Sequence, residues 1–210
     1  MSNPWEKVSL KDYESHMKLS TVHQLQELNE IMKSQIYKYK IKTVAILGVA
    51  GGNGLQHIDS SKIDKVYGID INQNYLDCCK ERYENLKGCL VLKKLDLSDI
   101  ENDLPEVDII IANLFIEYIG INMFIKQLSK NLPKYVSCVV QKNPDTNFMS
   151  DSPYVKVFDE VSEMHKDIEK NSLVEAMNTI GYSLIFSEDH LLPNMKKLVR
   201  LDFVNEQNVK

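Results

Sequence analysis

An α/β fold, doubly wound, with a mostly parallel seven-stranded sheet and helices on both faces, is what this sequence predicts, and three observations carry it. Short apolar stretches rich in β-branched residues alternate with helix-like stretches from Thr43 to Gln141. That alternation implies right-handed crossovers and parallel strands covered on both sides. The first stretch, V-A-I-L at residues 44–47, runs directly into a loop of small residues, G-V-A-G-G-N-G at 48–54. The last two, Tyr182 to Ser187 and Lys197 to Val204, flank H-L-L-P-N-M-K and read as an antiparallel C-terminal hairpin at the sheet edge.

Taken in order, Val22, Leu25, Leu28, Ile31, Met32 and Ile36 recur at helical spacing between Ser20 and Tyr37, after an irregular lead containing Pro4 and Trp5. After the small-residue loop, Leu55 to Ile58 begins a short helix. Lys65 to Ile71 is a second buried strand, and Asn72 to Leu86 a helix capped by Asn72 or Asn74. Leu90 to Leu95 and Val107 to Ala112 are the third and fourth strands, Met123 to Leu132 a helix, and Tyr135 to Gln141 the fifth strand. The stretch from Asn143 to Lys166 is polar and holds Pro144 and Pro153, a long excursion of the kind more often functional than idle. A helix from Asp167 to Ile180 ends at Gly181, where a C-cap glycine belongs. No repeat or low-complexity linker divides the chain. The expectation is one domain over residues 1–210, with an N-terminal extension (1–40), a core (41–142) and a closing part made of the excursion, a helix and the strand pair (143–210).

Composition narrows the class of partner. With 210 residues, 43% hydrophobic and 26% charged, the chain suits a soluble globular domain. No apolar run approaches the roughly 20 residues of a membrane span, and M-S-N-P-W-E-K lacks the apolar centre of a signal peptide. A cytoplasmic location without membrane contact follows as the expectation. Cys78, Cys79, Cys89 and Cys138 form no C-x-x-C pair and no metal-like spacing with the histidines, so no metal site is expected. The formal charge of -5 argues against a nucleic-acid surface and favours a small-molecule partner for a monomer or homodimer.

In an open α/β sheet, ligands bind beyond the carboxyl ends of the strands, where strand order reverses. Four features fall on that edge: the glycine loop after the first strand, Asp70 at the end of the second, Asp96 after the third and Asn113 after the fourth. Small residues let the backbone approach a ligand and adopt φ angles closed to bulkier side chains. One carboxylate at Asp70 accepts hydrogen bonds from both vicinal hydroxyls of a ribose. Asp96 suits an exocyclic adenine amino group, with the Leu97 N–H beside it.

These residues resemble the class I S-adenosylmethionine-dependent methyltransferase family. That family's first motif is an acidic residue followed by x-G-x-G-x-G. Here Gly52 and Gly54 match, Ala50 replaces the first glycine, and Gly48 stands where the acid belongs. The resemblance extends through Asp70, through Asp96 and Leu97, and through V-D-I-I-I-A-N-L with Asn113 beside the methionyl part. It implies S-adenosyl-L-methionine as cofactor, held by Gly48, Val49, Ala50, Gly52, Asn53, Gly54, Asp70, Ile71, Asp96, Leu97 and Asn113. It also implies that the N-terminal helix folds over the cofactor as a lid, and that backbone carbonyls or another side chain replace the missing acid. A nicotinamide-binding domain fits less well, because the third small residue of G-x-G-x-x-G falls on His57 or Asn53 in the two available registers.

Acceptor-side residues belong over the same edge. Glu117 and Tyr118 in L-F-I-E-Y-I are placed to orient an acceptor, with Glu117 a base if burial raises its pKa. Tyr13, Glu14 and His16 precede the N-terminal helix and are expected near cofactor or substrate, and Tyr154 and His165 sit in the excursion where the resemblance puts acceptor recognition. Asn113 opens N-L-F-I and not N-P-P-Y, and the fourth strand lacks a Pro-Cys pair, so base-amine, glutamine-amide and cytosine-carbon acceptors are disfavoured. The expected activity is methyl transfer to a small molecule. A cofactor-binding protein without transferase activity and an RNA methyltransferase are the alternatives.

Overall fold

In the computed structural model, which describes residues 3–144 and 149–208, the strands are β1 (Thr43–Leu47), β2 (Lys65–Asp70), β3 (Leu90–Lys94), β4 (Ile109–Asn113), β5 (Tyr135–Lys142), β6 (Tyr182–Leu191) and β7 (Lys197–Asn205). They form one sheet in the order β3-β2-β1-β4-β5-β7-β6. Strands β1 to β5 pair in parallel, and β7 lies antiparallel between β5 and the outermost strand β6. The helices are α1 (Leu10–Met17), α2 (Gln24–Tyr37), α3 (Gln73–Arg82), α4 (Ile116–Ile119), α5 (Ile121–Leu128), α6 (Asp159–Ser162) and α7 (Lys170–Asn178). None is long and apolar enough to cross a membrane.

Strand side chains alternate between faces, and both faces are covered, which is why β1 is apolar after Thr43 and β4 is apolar up to Asn113. Val44 and Ile46 of β1 and Ile109 and Ile111 of β4 pack with Met32 and Ile36 of α2 and Leu76 and Cys79 of α3. Ala45, Leu47, Ile110 and Ala112 turn the other way, onto Phe124 and Leu128 of α5 and Leu173 and Met177 of α7. The four cysteines are free thiols.

The structure departs from expectation at several helices. Where the irregular lead was expected stands α1, started by Ser9, whose side chain accepts the Asp12 N–H. Helix α2 begins at Gln24, later than Ser20, because His23 takes a left-handed φ of 58° and interrupts the helical path. The short helix expected after the glycine loop is one 3-10 turn, Leu55–His57. Helix α2 occupies the neighbouring space over β1, with Met32 against Gly54 and Met32 and Ile36 packed with Leu55 and Ile58. Asn72 caps α3, which stops at Arg82, and a separate 3-10 turn, Glu84–Leu86, follows. Gly120, at φ 80°, separates α4 from α5, so the helix expected from Met123 to Leu132 starts and ends earlier. The excursion at 143–166 contains a 3-10 turn, Val155–Phe158, and α6, while its residues 145–148 lie outside the described residues.

A buried polar network fastens α2 to the sheet. Arg200 and Asp202 on β7 are both fully buried and form a two-point ion pair, Nε to Oδ1 at 2.9 Å and Nη2 to Oδ2 at 2.8 Å. Arg200 Nη1 also donates to Ser34 of α2 at 2.8 Å, and the Tyr39 hydroxyl donates to Asp202. Ser137 of β5 donates to Asp202 and accepts from Gln35, whose carboxamide makes a reciprocal pair with that of Asn113. Removing one member of such a pair leaves a buried charge uncompensated. Arg200→Met is therefore expected to destabilise the fold by about 3–5 kcal/mol in urea unfolding, and an unchanged unfolding free energy would show that the pair is dispensable.

Candidate functional site

Strand order reverses between β1 and β4, and the crevice at that reversal is the candidate site. The loop leaving β1 doubles back at once, with Gly48 and Val49 donating their N–H groups to the Ile69 carbonyl of β2 at 2.9 and 3.0 Å. Gly48 is at φ 68°, and a Cβ there would lie 3.1 Å from the Phe115 ring. Backbone conformation and the close Phe115 ring together disfavour a larger side chain, and so the acid of the family motif, at this position. Ala50 adopts φ 47° and points its N–H at Asp70 Oδ2, 2.9 Å away, while Asp70 Oδ1 accepts from Asn72 N–H at 2.9 Å. Burial pushes the Asp70 pKa up, and backbone hydrogen bonds from Asn72, Ala50 and Ile71 oppose that shift. A carboxylate offers about four lone-pair sites, so each oxygen keeps acceptor capacity toward the crevice.

The crevice holds about 770 Å³ of empty space, counting the part open to solvent. Gly48, Ala50, Asp70, Ile71, Asp96, Leu97 and Asn113 all line it. Asp96 Oδ1 accepts from the Ser98 N–H and hydroxyl. Val49 and Asn53 line an adjoining recess together with Gly48, Ala50 and Asn113, but the Asn53 carboxamide is bonded to the Leu25 carbonyl and to Asn29 of α2. Gly52 and Gly54 lie outside the crevice lining and shape the loop from behind, Gly52 against Tyr83 and Cys79, Gly54 against Met32. Asn113, tied to Gln35, presents a side chain already committed to the interior.

The N-terminal segment roofs this edge. Asn72 Nδ2 donates to the Trp5 carbonyl at 2.9 Å, Lys94 pairs with Glu6 at 2.8 Å, and Glu14 of α1 pairs with Arg82 over Gly51. Tyr13 packs between Trp5, edge-on at 5.9 Å, and Tyr75, stacked at 6.1 Å. Tyr75 lines the crevice with a buried hydroxyl that has no partner. Sequence reasoning passed over Tyr75, although its place in the first turn of the helix after Asp70 puts it on the ligand edge.

Beyond Trp5, Tyr13, Leu114 and Tyr118 lies a second chamber of about 520 Å³ that shares those four walls with the crevice. Of the seven acceptor-side residues singled out in the sequence, Tyr13, His16, Glu117, Tyr118 and His165 line it, while Glu14 lines the recess beside the glycine loop. Leu114, at φ 51°, turns the chain sharply after β4 and so directs Phe115 onto Gly48 and Glu117 into the chamber. Glu117 is 1% exposed. Its Oε1 accepts the Gln141 N–H at 2.9 Å, and its Oε2 is buried without a partner. Burial pushes its pKa up to about 7, against the pull of the Gln141 hydrogen bond. Burial also lowers the pKa of both imidazoles; the Asp167 carboxylate opposes this at His165, and the positive charge of Lys196 adds to it on each. His16 shares a 2.8 Å hydrogen bond with Ser152. Gln24, Gln141 and Phe158 complete the wall without having been expected there. Only Gln141, ending β5 on the ligand edge, carried a sequence signal. Tyr154 packs beside Val8 and Phe158 and is not part of either lining.

No family model matches the sequence, and no curated protein matches it. Solved structures do match in fold. Magnesium protoporphyrin IX methyltransferase from Synechocystis PCC 6803 with bound S-adenosylhomocysteine superposes at TM-score 0.64 and 9% identity, covering 92% of this chain and 87% of that one. Geranyl diphosphate methyltransferase in complex with geranyl diphosphate and sinefungin gives 0.65 at 12% identity, with 92% and 83% coverage. A SAM-dependent methyltransferase from Methanosarcina mazei gives 0.61 at 12% identity, with 81% and 95% coverage. The chain therefore has the class I S-adenosylmethionine-dependent methyltransferase fold.

Glu117 also carries a stability signature. Its folded pKa of about 7 lies above the ordinary 4.5, so the folded form holds a proton that the unfolded chain has released between those values. Stability from this group is thus present below about pH 4.5 and is lost as pH rises toward 7. Relative to wild type, Glu117→Gln is expected to gain up to about 3 kcal/mol over that window. Urea unfolding of both proteins at its two ends checks this, and a constant difference would refute the raised pKa.

Proposed function

We propose that this protein is an S-adenosylmethionine-dependent methyltransferase acting on a small-molecule acceptor. The observation that carries the reading is Asp70 at the strand reversal. One carboxylate holds the small-residue loop through Ala50 and the start of α3 through Asn72, while lining the crevice. Its remaining acceptor sites suit the two ribose hydroxyls. Asp96 and Leu97, at the far end of the same crevice, suit the adenine amino group and ring edge. With Gly48 in place of the acid, the methionyl amino group falls to loop carbonyls.

When bound, the sulfonium supplies a methyl group already activated for displacement, so the protein's share is orientation and exclusion of water. Trp5, Tyr13 and the rest of the N-terminal segment provide the roof that excludes it. The four walls common to crevice and chamber set acceptor and methyl donor on either side of one boundary.

Calorimetry with S-adenosylhomocysteine tests the reading, and absence of binding at millimolar ligand would sink it. Asp70→Ala is expected to weaken that binding about ten- to a hundredfold, from the roughly 1.5–3 kcal/mol of hydrogen bonds to a charged group. An unchanged affinity would remove Asp70 from the ribose.

A further inference from the structure

The second chamber holds more information than its size. Four aromatic rings wall it, with Trp5 edge-on to Tyr118 at 5.0 Å and to Phe158 at 6.3 Å, in addition to Tyr13. Imidazoles extend this wall on both sides, His16 at 5.1 Å from Phe158 and His165 at 6.0 Å from Tyr118. Ring edges and faces arranged in this way favour a flat aromatic guest. Within that wall, Glu117 Oε2 is a buried acceptor without a partner, and native interiors rarely leave such an atom unsatisfied unless a ligand completes it. In the carboxylate form, its missing partner is a hydrogen-bond donor.

The charges around Glu117 decide what kind of donor. Asp167, ahead of α7, raises its pKa. The Lys196 ammonium of the β6–β7 turn acts on both His16 of α1 and His165 of the excursion. Tyr118 of α4 and Cys138 of β5, the other titratable groups coupled to Glu117, have pKa values raised well above their ordinary range, so both are neutral. A neutral O–H or N–H completes Oε2 without bringing a further charge into this buried chamber.

We propose that the chamber takes a planar aromatic or heteroaromatic acceptor bearing one O–H or N–H, and that Glu117 Oε2 receives that proton as the acceptor is methylated. This rests on the methyl-transfer reading above. The acceptor oxygen or nitrogen forms its bond to the methyl carbon, the carbon–sulfur bonding pair leaves with sulfur as a neutral thioether, and the acceptor's proton ends on Glu117. A carboxylate that titrates near neutral pH suits that exchange in both directions, since it also releases the proton after turnover.

The probe is 4-nitrophenol, whose phenolate absorbs visibly, titrated into wild type and Glu117→Gln without cofactor at mildly alkaline pH. Calorimetry with S-adenosylhomocysteine runs in parallel as a check on folding and on the crevice. Wild type is expected to bind the probe with loss of phenolate absorbance and uptake of a proton, because carboxylate and phenolate must share one. Glu117→Gln is expected to bind S-adenosylhomocysteine normally and the probe without that loss. With S-adenosylmethionine present, wild-type kcat/KM should rise with pH through about 7. In Glu117→Gln, kcat/KM should fall at least tenfold and lose that dependence. Equal spectra in the two proteins would overturn the role of Glu117. Failure of 4-nitrophenol to bind a protein that binds S-adenosylhomocysteine would overturn the aromatic acceptor. Probe binding with the Glu117 signature, but no S-adenosylhomocysteine binding, would instead overturn the methyl-transfer reading and leave the chamber standing.

Discussion

An ion pair sealed from water is the constraint around which the ligand edge is organised. Arg200 and Asp202 lie within the sheet face covered by α2, each 1% exposed at the side chain, so every donor and acceptor they carry must be met by protein. Ser34 of α2, Tyr39 just after it and Ser137 of β5 supply those partners, and Gln35 of α2 in turn donates to Ser137. Desolvation makes such a pair a weak source of net stability, but it makes the position of α2 costly to change. From there the consequences run outward. Met32 packs against Gly54, Asn29 holds Asn53, and the Leu25 carbonyl accepts from the same asparagine. The small-residue loop is thus held from behind by a helix that precedes β1, and the usual support of a long helix after β1 is replaced by a single turn.

The same low-dielectric interior sets the protonation of the chamber. Burial raises Glu117 and lowers His16 and His165, three shifts of one origin that all favour neutral forms. Leu114, held in a left-handed conformation at the end of β4, is the strained point where crevice and chamber meet. Strain of this kind persists only where the surroundings over-determine it, and here the Leu114 N–H is tied to Val139 of β5 at 2.8 Å.

Strands were legible because the sheet is covered on both faces, which leaves V-A-I-L in β1 and I-I-I-A in β4 unbroken and β5 mostly apolar. The ligand edge was legible because topology forces loops after successive parallel strands to the same side. Less could be read from the N-terminus. Helix α1 carries only Leu10, Tyr13 and Met17 at helical spacing in eight residues, too short a pattern to stand out, and those side chains are buried by contacts with α2, α3 and the excursion, distant in sequence. The truncation of the helix after the glycine loop was likewise hidden, since nothing in Leu55 to Ile58 reveals that α2 already fills the space.

Local chemistry along the chain, namely strand periodicity, small residues after β1, and acids at the end of β2 and after β3, was sufficient to specify the α/β sheet and the edge on which the crevice lies. Tertiary structure alone decided why glycine occupies position 48, where a left-handed backbone meets the Phe115 ring. It decided that Asn113 faces inward to Gln35, and that Glu117 is an isolated buried carboxyl among aromatic rings. Sequence periodicity reports which side of an element is apolar. The pKa and partners of a polar side chain depend on what the rest of the fold places around it.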